Sequence, residues 1–360
     1  MKKLNDLFKI MVDKEASDLY LRTNATPRAR INGQVQVVHD ELLPKAEIMA
    51  FTNLLLGNEQ RKKIFTEKQD IDFIYHDEEV GRFRINIFTQ RGTPAIVARH
   101  IHTQVRNFEE LNLPSEVLRK FGETDKGLFL VCGPAGNGKS TTIASLIDYI
   151  NNRSAKHIVT IEDPIEFLFK DNKSIINQRE LGIDVPNYPH ALRYVTQQSP
   201  DIIYIGNIRD EATMRAVINA TELGTFVITT FHTINSVQTI VRILNFFPPH
   251  QHDEVRMQLS LILKGTISLR LLPRKDGTGR VPAFETMVVT PTIAHLIKEN
   301  KINEIQNFID QGDLFGMQSF KQSMVNLVKE GYVDLQEARR ISDSKDEFDQ
   351  AMSGMKSRFE

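Results

Sequence analysis

Residues 133–142 read Gly-Pro-Ala-Gly-Asn-Gly-Lys-Ser-Thr-Thr and follow the apolar run Gly127-Leu-Phe-Leu-Val-Cys132. No other stretch limits the fold so tightly. The pattern G-x-x-x-x-G-K-[ST] is that of a phosphate-binding loop, which needs a strand before it and a helix after it. Both flanks comply: the preceding run is β-rich, and Ile143, Ala144, Leu146, Ile147 and Ile150 form a helical stripe behind the loop. Gly133, Gly136 and Gly138 let the backbone turn so that successive N–H groups face an anion, with Pro134, Ala135 and Asn137 between them and Thr141 closing the cradle. Lys139 has the reach for the outer phosphates of a nucleotide, and the Ser140 hydroxyl suits Mg²⁺. The helix that starts here aims its positive end at the same charges.

A chain of 360 residues has room for two domains. Its 41% hydrophobic and 25% charged content is that of a soluble globular protein. A formal charge of −1 gives no general attraction to nucleic acid, so no nucleic-acid partner is expected. Cys132 is the only cysteine, which excludes an internal disulfide framework and a Cys₄ zinc site and suits a reducing cytosol. No run approaches 18 apolar residues, so no transmembrane segment is expected.

Along the chain, Leu4, Leu7, Phe8 and Met11 carry a helical stripe. Strands are predicted over 18–22 and 29–35, with Asn32-Gly33 as a hairpin turn, then helices over 47–56 and 58–65. Strands over 71–75, 81–88 and 94–101 complete a mostly antiparallel sheet, so residues 1–105 form a small α/β domain. Residues 106–126 read as an interdomain linker. From 127 to 290 short apolar strands (127–132, 157–161, 202–206, 225–230) alternate with helices, which predicts a mainly parallel, doubly wound sheet. The helix after Asn235-Ser236 is expected to run until Pro248-Pro249 stops it. Residues 271–289 read as a hairpin, and 291–360 as a helical C-terminal region in which Gly331 ends one helix.

Further segments carry a resemblance. Thr160-Ile-Glu-Asp-Pro-Ile-Glu166, Gln178-Arg-Glu-Leu-Gly-Ile-Asp184, Ser199 to Asp210 and Gly224-Thr-Phe-Val-Ile-Thr-Thr-Phe-His-Thr233 resemble, in order, the aspartate box, its following segment, the Walker B segment and the histidine box of the type IV pilus retraction ATPases. Ser17-Asp-Leu-Tyr-Leu21, Arg82-Phe-Arg-Ile-Asn86 and Gly316-Met-Gln-Ser-Phe320 are similar to the same family, so the resemblance spans almost the whole chain. Asn245-Phe-Phe-Pro248, Asp276-Gly-Thr-Gly-Arg280 and Ala294 lean toward its PilU branch rather than its PilT branch.

The resemblance implies a PAS-like N-terminal α/β domain and a RecA-like P-loop ATPase domain with a helical tail. It implies ATP and Mg²⁺ as cofactors, and a homo-hexamer that powers or assists pilus retraction and twitching motility, alone or with a PilT-like paralogue. It also implies an inner-membrane platform protein as partner and a place at the cytoplasmic, inner face of the bacterial inner membrane. Glu166 looks like the general base, with Glu162 and Asp163 in the outer shell of the metal; the bland alternative is turn carboxylates around Pro164. His232 follows an apolar strand and so is expected near the phosphates. Arg84 and Arg99 are the first-domain candidates for the γ-phosphate charge, with Arg82 beside them; otherwise they are surface arginines on strands.

Two departures stand out. Asn207 occupies the place of the Walker B glutamate, and Thr225 that of the first histidine of the histidine box. Asparagine keeps one acceptor oxygen but has no charge and no basicity, so binding is expected to survive better than turnover. Thr225 removes a group expected to touch phosphate or a neighbouring subunit. These changes open a second reading, a nucleotide-binding accessory subunit with weak or no hydrolysis.

Overall fold

The computed structural model describes residues 2–101 and 104–356. His102 and Thr103 of the connecting stretch, and the last four residues of the expected tail, lie outside the described residues. Two units divide the chain. One takes the residues through Gln104 together with Glu166–Leu168; the other takes Val105–Ile165 and everything from Phe169.

The first unit contains α1 (Lys2–Asp13), β1 (Asp18–Arg22), β2 (Arg28–Ile31), β3 (Gln34–Val37), α2 (Lys45–Leu56), α3 (Glu59–Lys68), β4 (Asp70–Asp77), β5 (Gly81–Gln90) and β6 (Thr93–Ile101). Its six strands form one sheet in the order β3-β2-β1-β6-β5-β4, with every pairing antiparallel. The stripe of α1 lands in the core: Leu4, Leu7, Phe8 and Met11 are all buried, and Phe8 stacks on Phe83 with ring centroids 4.3 Å apart. Asn32 and Gly33 both take positive φ (50° and 85°), the backbone that lets a two-residue hairpin follow the twist of its strands. Along β5, Phe83, Ile85 and Ile87 face the core while Arg82, Arg84 and Asn86 occupy the opposite face.

The second unit begins with α4 (Ser115–Gly122), β7 (Gly127–Cys132), α5 (Lys139–Arg153), β8 (His157–Glu162), β9 (Ile175–Glu180), α6 (Tyr188–Val195), β10 (Ile202–Ile205), α7 (Glu211–Glu222) and β11 (Phe226–Phe231). It continues through α8 (Ser236–Leu244), α9 (His252–Ile262), β12 (Leu263–Pro273), β13 (Arg280–Val288), α10 (Pro291–Lys298), α11 (Ile305–Asp310), α12 (Phe320–Lys329), α13 (Leu335–Ile341) and α14 (Lys345–Lys356). The sheet order is β13-β12-β7-β11-β10-β8-β9, parallel except for β13 at its edge. Both faces are covered. Leu128, Leu130 and Cys132 of β7 pack into one apolar cluster with α6–α10, whereas Phe129 and Val131 pack into another with α4 and α5. That is why the central strands read as unbroken apolar runs.

Three expectations need correction. The stretch 106–126 is not a linker: Phe108, Leu113, Val117, Leu118 and Phe121 are buried, and Phe121 stacks on Phe129 at 4.2 Å. A Cβ on Gly265 would come within 2.2 Å of the Phe121 ring, so that glycine makes the packing possible. Second, α8 ends at Leu244, before the prolines, where the next N–H groups switch to three-residue bonds, Phe246 N to Ile243 O and Phe247 N to Leu244 O. Third, β9 is a sheet strand that its polar sequence Ile-Ile-Asn-Gln-Arg-Glu conceals, since an edge strand buries few of its side chains.

Candidate functional site

Gly133, Gly136 and Gly138 have φ of 142°, 75° and 86°, a region that side chains with a Cβ rarely adopt. A Cβ on Gly133 would also meet Leu269 O at 2.6 Å, so strand β12 leaves that position to glycine alone. The loop is braced from the same strand and its hairpin partner. Asn137 Oδ1 accepts from Leu271 N (2.8 Å), and Arg280 Nη1 donates to Gly136 O (3.2 Å). Lys139, only 8% exposed, donates from Nζ to Gly133 O (2.6 Å) and Pro134 O (3.0 Å). Ser140 follows it in the first turn of α5.

Register brings the rest of the edge together. Cys132 lies opposite Phe231, and Ile205 opposite both Thr229 and Ile161. Gly133, Glu162-Asp163, Gly206-Asn207 and His232 therefore all leave the sheet at its carboxyl edge, where open α/β sheets bind ligands. Glu162 is buried, and its Oε1 accepts from Thr160 Oγ1 (2.6 Å) and Gln178 Nε2 (3.2 Å). Asp163, which precedes a cis bond to Pro164, forms an ion pair with Arg209 at 3.5 Å. Tyr188 is buried behind them, and burial pushes its phenol well above the ordinary range.

His232 stands between Lys139 (Nζ to Nδ1, 3.4 Å) and Asn207 (amide to Nε2, 3.4 Å). Burial, then the Lys139 and Arg209 charges, lower its pKa, so the imidazole is neutral at physiological pH. An ammonium only donates, so Nδ1 accepts from Lys139. The Asn207 atom that faces Nε2 is Nδ2. One end of the Asn207 amide stays buried without a partner among the described residues. Cys132 beneath the loop is no nucleophile: burial pushes its thiol up to about 11, and it accepts from Thr239 Oγ1 at 3.3 Å.

The residues present fit a nucleotide with its metal. The three loop glycines hold positive φ, and Lys139 opens the helix directly behind them. Among the described residues no group of three or more His, Cys, Asp or Glu could hold a metal. The candidates to hold a Mg²⁺ ion here would be the Ser140 hydroxyl directly and Glu162 and Asp163 through water, in keeping with the preference of Mg²⁺ for few protein ligands.

Other expected site residues are placed differently. Thr225 precedes β11 and its carbonyl accepts from Gly127 N (3.3 Å), at the amino edge of the sheet. With a full strand between, it is about 20 Å from the loop, so the expectation that position 225 touches phosphate is overturned. Glu166 belongs with Phe167 and Leu168 to the first unit; it is half-buried. Arg84 and Arg99 are cross-strand partners, and each is engaged by a carboxylate of its own sheet. Arg84 Nε donates to both oxygens of Asp72 (2.8 and 2.7 Å), and Arg99 donates from Nε and Nη2 to the buried Asp18 (3.0 and 2.9 Å). Arg82 Nε is buried without a partner among the described residues. The sequence did not mark Arg209, Arg280 and Tyr188, because their contacts are with residues distant in the chain. The nearest local signal is Asn187, whose side chain caps α6 at His190 N and so seats Tyr188.

A parallel sheet with a phosphate-binding loop after its central strand, and acidic, amide and histidine side chains on the neighbouring strand ends, defines a P-loop nucleoside-triphosphatase fold. The profile of the type II/IV secretion system protein family matches residues 1–340, and the chain belongs to that family. It is 36% identical over 338 residues to the type IV pilus ATPase PilU of Pseudomonas aeruginosa, covering 94% of this chain and 88% of PilU. To the type IV pilus retraction ATPase PilT of the same organism it is 37% identical over 336 residues, covering 93% of this chain and 97% of PilT. The crystal structure of the pilus retraction motor PilT with bound ADP matches with a TM-score of 0.85 at 39% identity, over 96% of this chain and 98% of that one. The ATPase DotB of Legionella pneumophila shares the fold, with a TM-score of 0.84 at 22% identity, over 94% of this chain and 95% of DotB.

Proposed function

We propose that this protein is an ATP-hydrolysing motor of a type IV pilus machine that powers or assists pilus retraction. The observation that carries the reading is the carboxyl edge of the second sheet, where Lys139, Glu162, Asn207 and His232 adjoin one phosphate-binding loop. Near-full-length identity to PilU and PilT supplies the pilus context. On this reading the first unit is PAS-like, six subunits form the working ring, and the ring works at the inner face of the inner membrane against a platform protein. Among the described residues no helix is long and apolar enough to cross a membrane.

In this site ATP with Mg²⁺ supplies the transferable phosphoryl group and the charge that stabilises it. The loop amides and Lys139 hold the phosphates, and His232 orients Lys139 as a neutral acceptor. Glu166 is the candidate base for the attacking water. Arg84 and Arg99 can act on phosphate only by exchanging Asp72 and Asp18 for it. Asn207 supplies no basicity, so turnover is expected to be low, by about 10²–10⁴-fold if the absent carboxylate served as an acid or base.

Steady-state ATP hydrolysis by the parent protein beside Asn207→Glu, Glu166→Ala and Lys139→Ala tests this reading. Measurable parent turnover, raised by Asn207→Glu and abolished by Glu166→Ala, is expected. Lys139→Ala is expected to weaken nucleotide binding about 10- to 100-fold, the value of a charge-assisted hydrogen bond. Absence of turnover in a parent that binds ATP overturns the motor.

A further inference from the structure

Tyr188 opens α6, and its side chain is 7% exposed. The hydroxyl lies against the Asn207 backbone yet has no hydrogen bond of good geometry among the described residues. It stands 3.2 Å from where a Cβ on Gly206 would be, a point also 3.3 Å from Glu162 Cα and 3.4 Å from Asp163 N. A side chain at 206 would therefore crowd the phenol between the ends of β8 and β10. The next residue, Asn207, buries one end of its amide with no partner among the described residues.

Packing alone does not explain a tyrosine here. Phenylalanine would fill nearly the same volume without burying an unpaired hydroxyl, which is destabilising. Two polar groups without a partner of good geometry, on adjoining segments beside the buried Glu162, are groups that an ordered water would satisfy. We propose that Tyr188 is a positioning residue which, with Asn207, holds a water in the outer shell of the nucleotide-bound divalent metal. The proposal rests on the ATPase reading for its ligand. A phenol both donates and accepts, and an amide supplies one fixed donor or acceptor. Neither takes a proton at neutral pH, so the pair orients water and leaves its deprotonation to another group. In a chain with asparagine at 207, this gives the edge a polar contact for the metal's hydration shell without a carboxylate.

Tyr188→Phe removes one oxygen and isolates the role. Parent and variant are compared by thermal unfolding, by ADP affinity without metal, and by Mn²⁺ affinity in the presence of ADP, read by electron paramagnetic resonance. The expected result is a variant that melts no lower than the parent and binds metal-free ADP equally well. Its Mn²⁺ affinity is expected to fall about three- to tenfold, the range of one hydrogen bond. A lower melting temperature with unchanged Mn²⁺ affinity makes the tyrosine a packing residue and overturns the proposal, as does no change in any measurement. A parent that binds no Mn²⁺ with ADP overturns it too. If the parent binds Mn²⁺ and ADP but hydrolyses no ATP, the motor reading falls while the Mn²⁺ comparison still decides Tyr188.

Discussion

At the scale of single residues, the site is made by backbone permission as much as by functional groups. Gly133 has a φ of 142° and a carbonyl 2.6 Å from any Cβ it might carry, so both strain and collision forbid a side chain. Gly133→Ala is expected to destabilise the protein by about 1–3 kcal/mol, the cost of a residue held in a forbidden region, and to weaken nucleotide binding with it. Urea unfolding read beside ADP titration checks this; a variant with parental stability sinks the close-approach account. The turn of the loop glycines and the place of Lys139 and Ser140 at the start of α5 were legible in the sequence because they follow from local backbone geometry. The approach of His232 to the loop was legible from its place after an apolar strand, whereas its pairing with Lys139 across 93 residues was not.

At the scale of elements, α8 is tied to the sheet by one buried carboxyl. Glu285 of β13 is 2% exposed and accepts from Ser236 N (2.8 Å) and Ser236 Oγ (2.6 Å) at the helix start. Burial raises its pKa above the ordinary 4.5, although the Ser236 bonds oppose the rise. A folded-state pKa above the unfolded one means the native protein binds the extra proton. The contribution is complete below the ordinary glutamate range and is lost as pH rises through the raised native value. Glu285→Gln keeps an acceptor and removes the titration. Its stability relative to the parent is expected to rise as pH climbs above the ordinary glutamate range; unfolding midpoints that stay parallel across the series contradict the assignment. This link could not be read from the chain, since nothing near Glu285 marks it as a helix anchor. The strands β7, β8, β10 and β11 were legible, because burial on both faces leaves an unmistakable apolar run. By contrast β9 was not, because an edge strand carries polar residues, and the connector's helix α4 was hidden by its eight-residue length.

At the scale of the whole molecule, the two units each close their own core around their own sheet. On the motor reading the working particle is a ring, so light scattering after size exclusion is expected to give six times the 41.2 kDa chain when ADP and Mg²⁺ are present. A particle that stays monomeric at micromolar concentration counts against a ring-shaped motor.

By itself the sequence determined the phosphate-binding loop, the alternation of strand and helix that places it in a parallel sheet, and the family. Each depends on short-range patterns: a turn that only glycine adopts, a period of apolar side chains, a run of motifs in fixed order. The tertiary structure alone decided that Thr225 lies at the far edge of its strand, that Arg84 and Arg99 are held by Asp72 and Asp18, and that His232 joins Lys139 to Asn207. Those outcomes depend on strand register and cross-sheet packing, which couple residues far apart in the chain and leave no local trace in it.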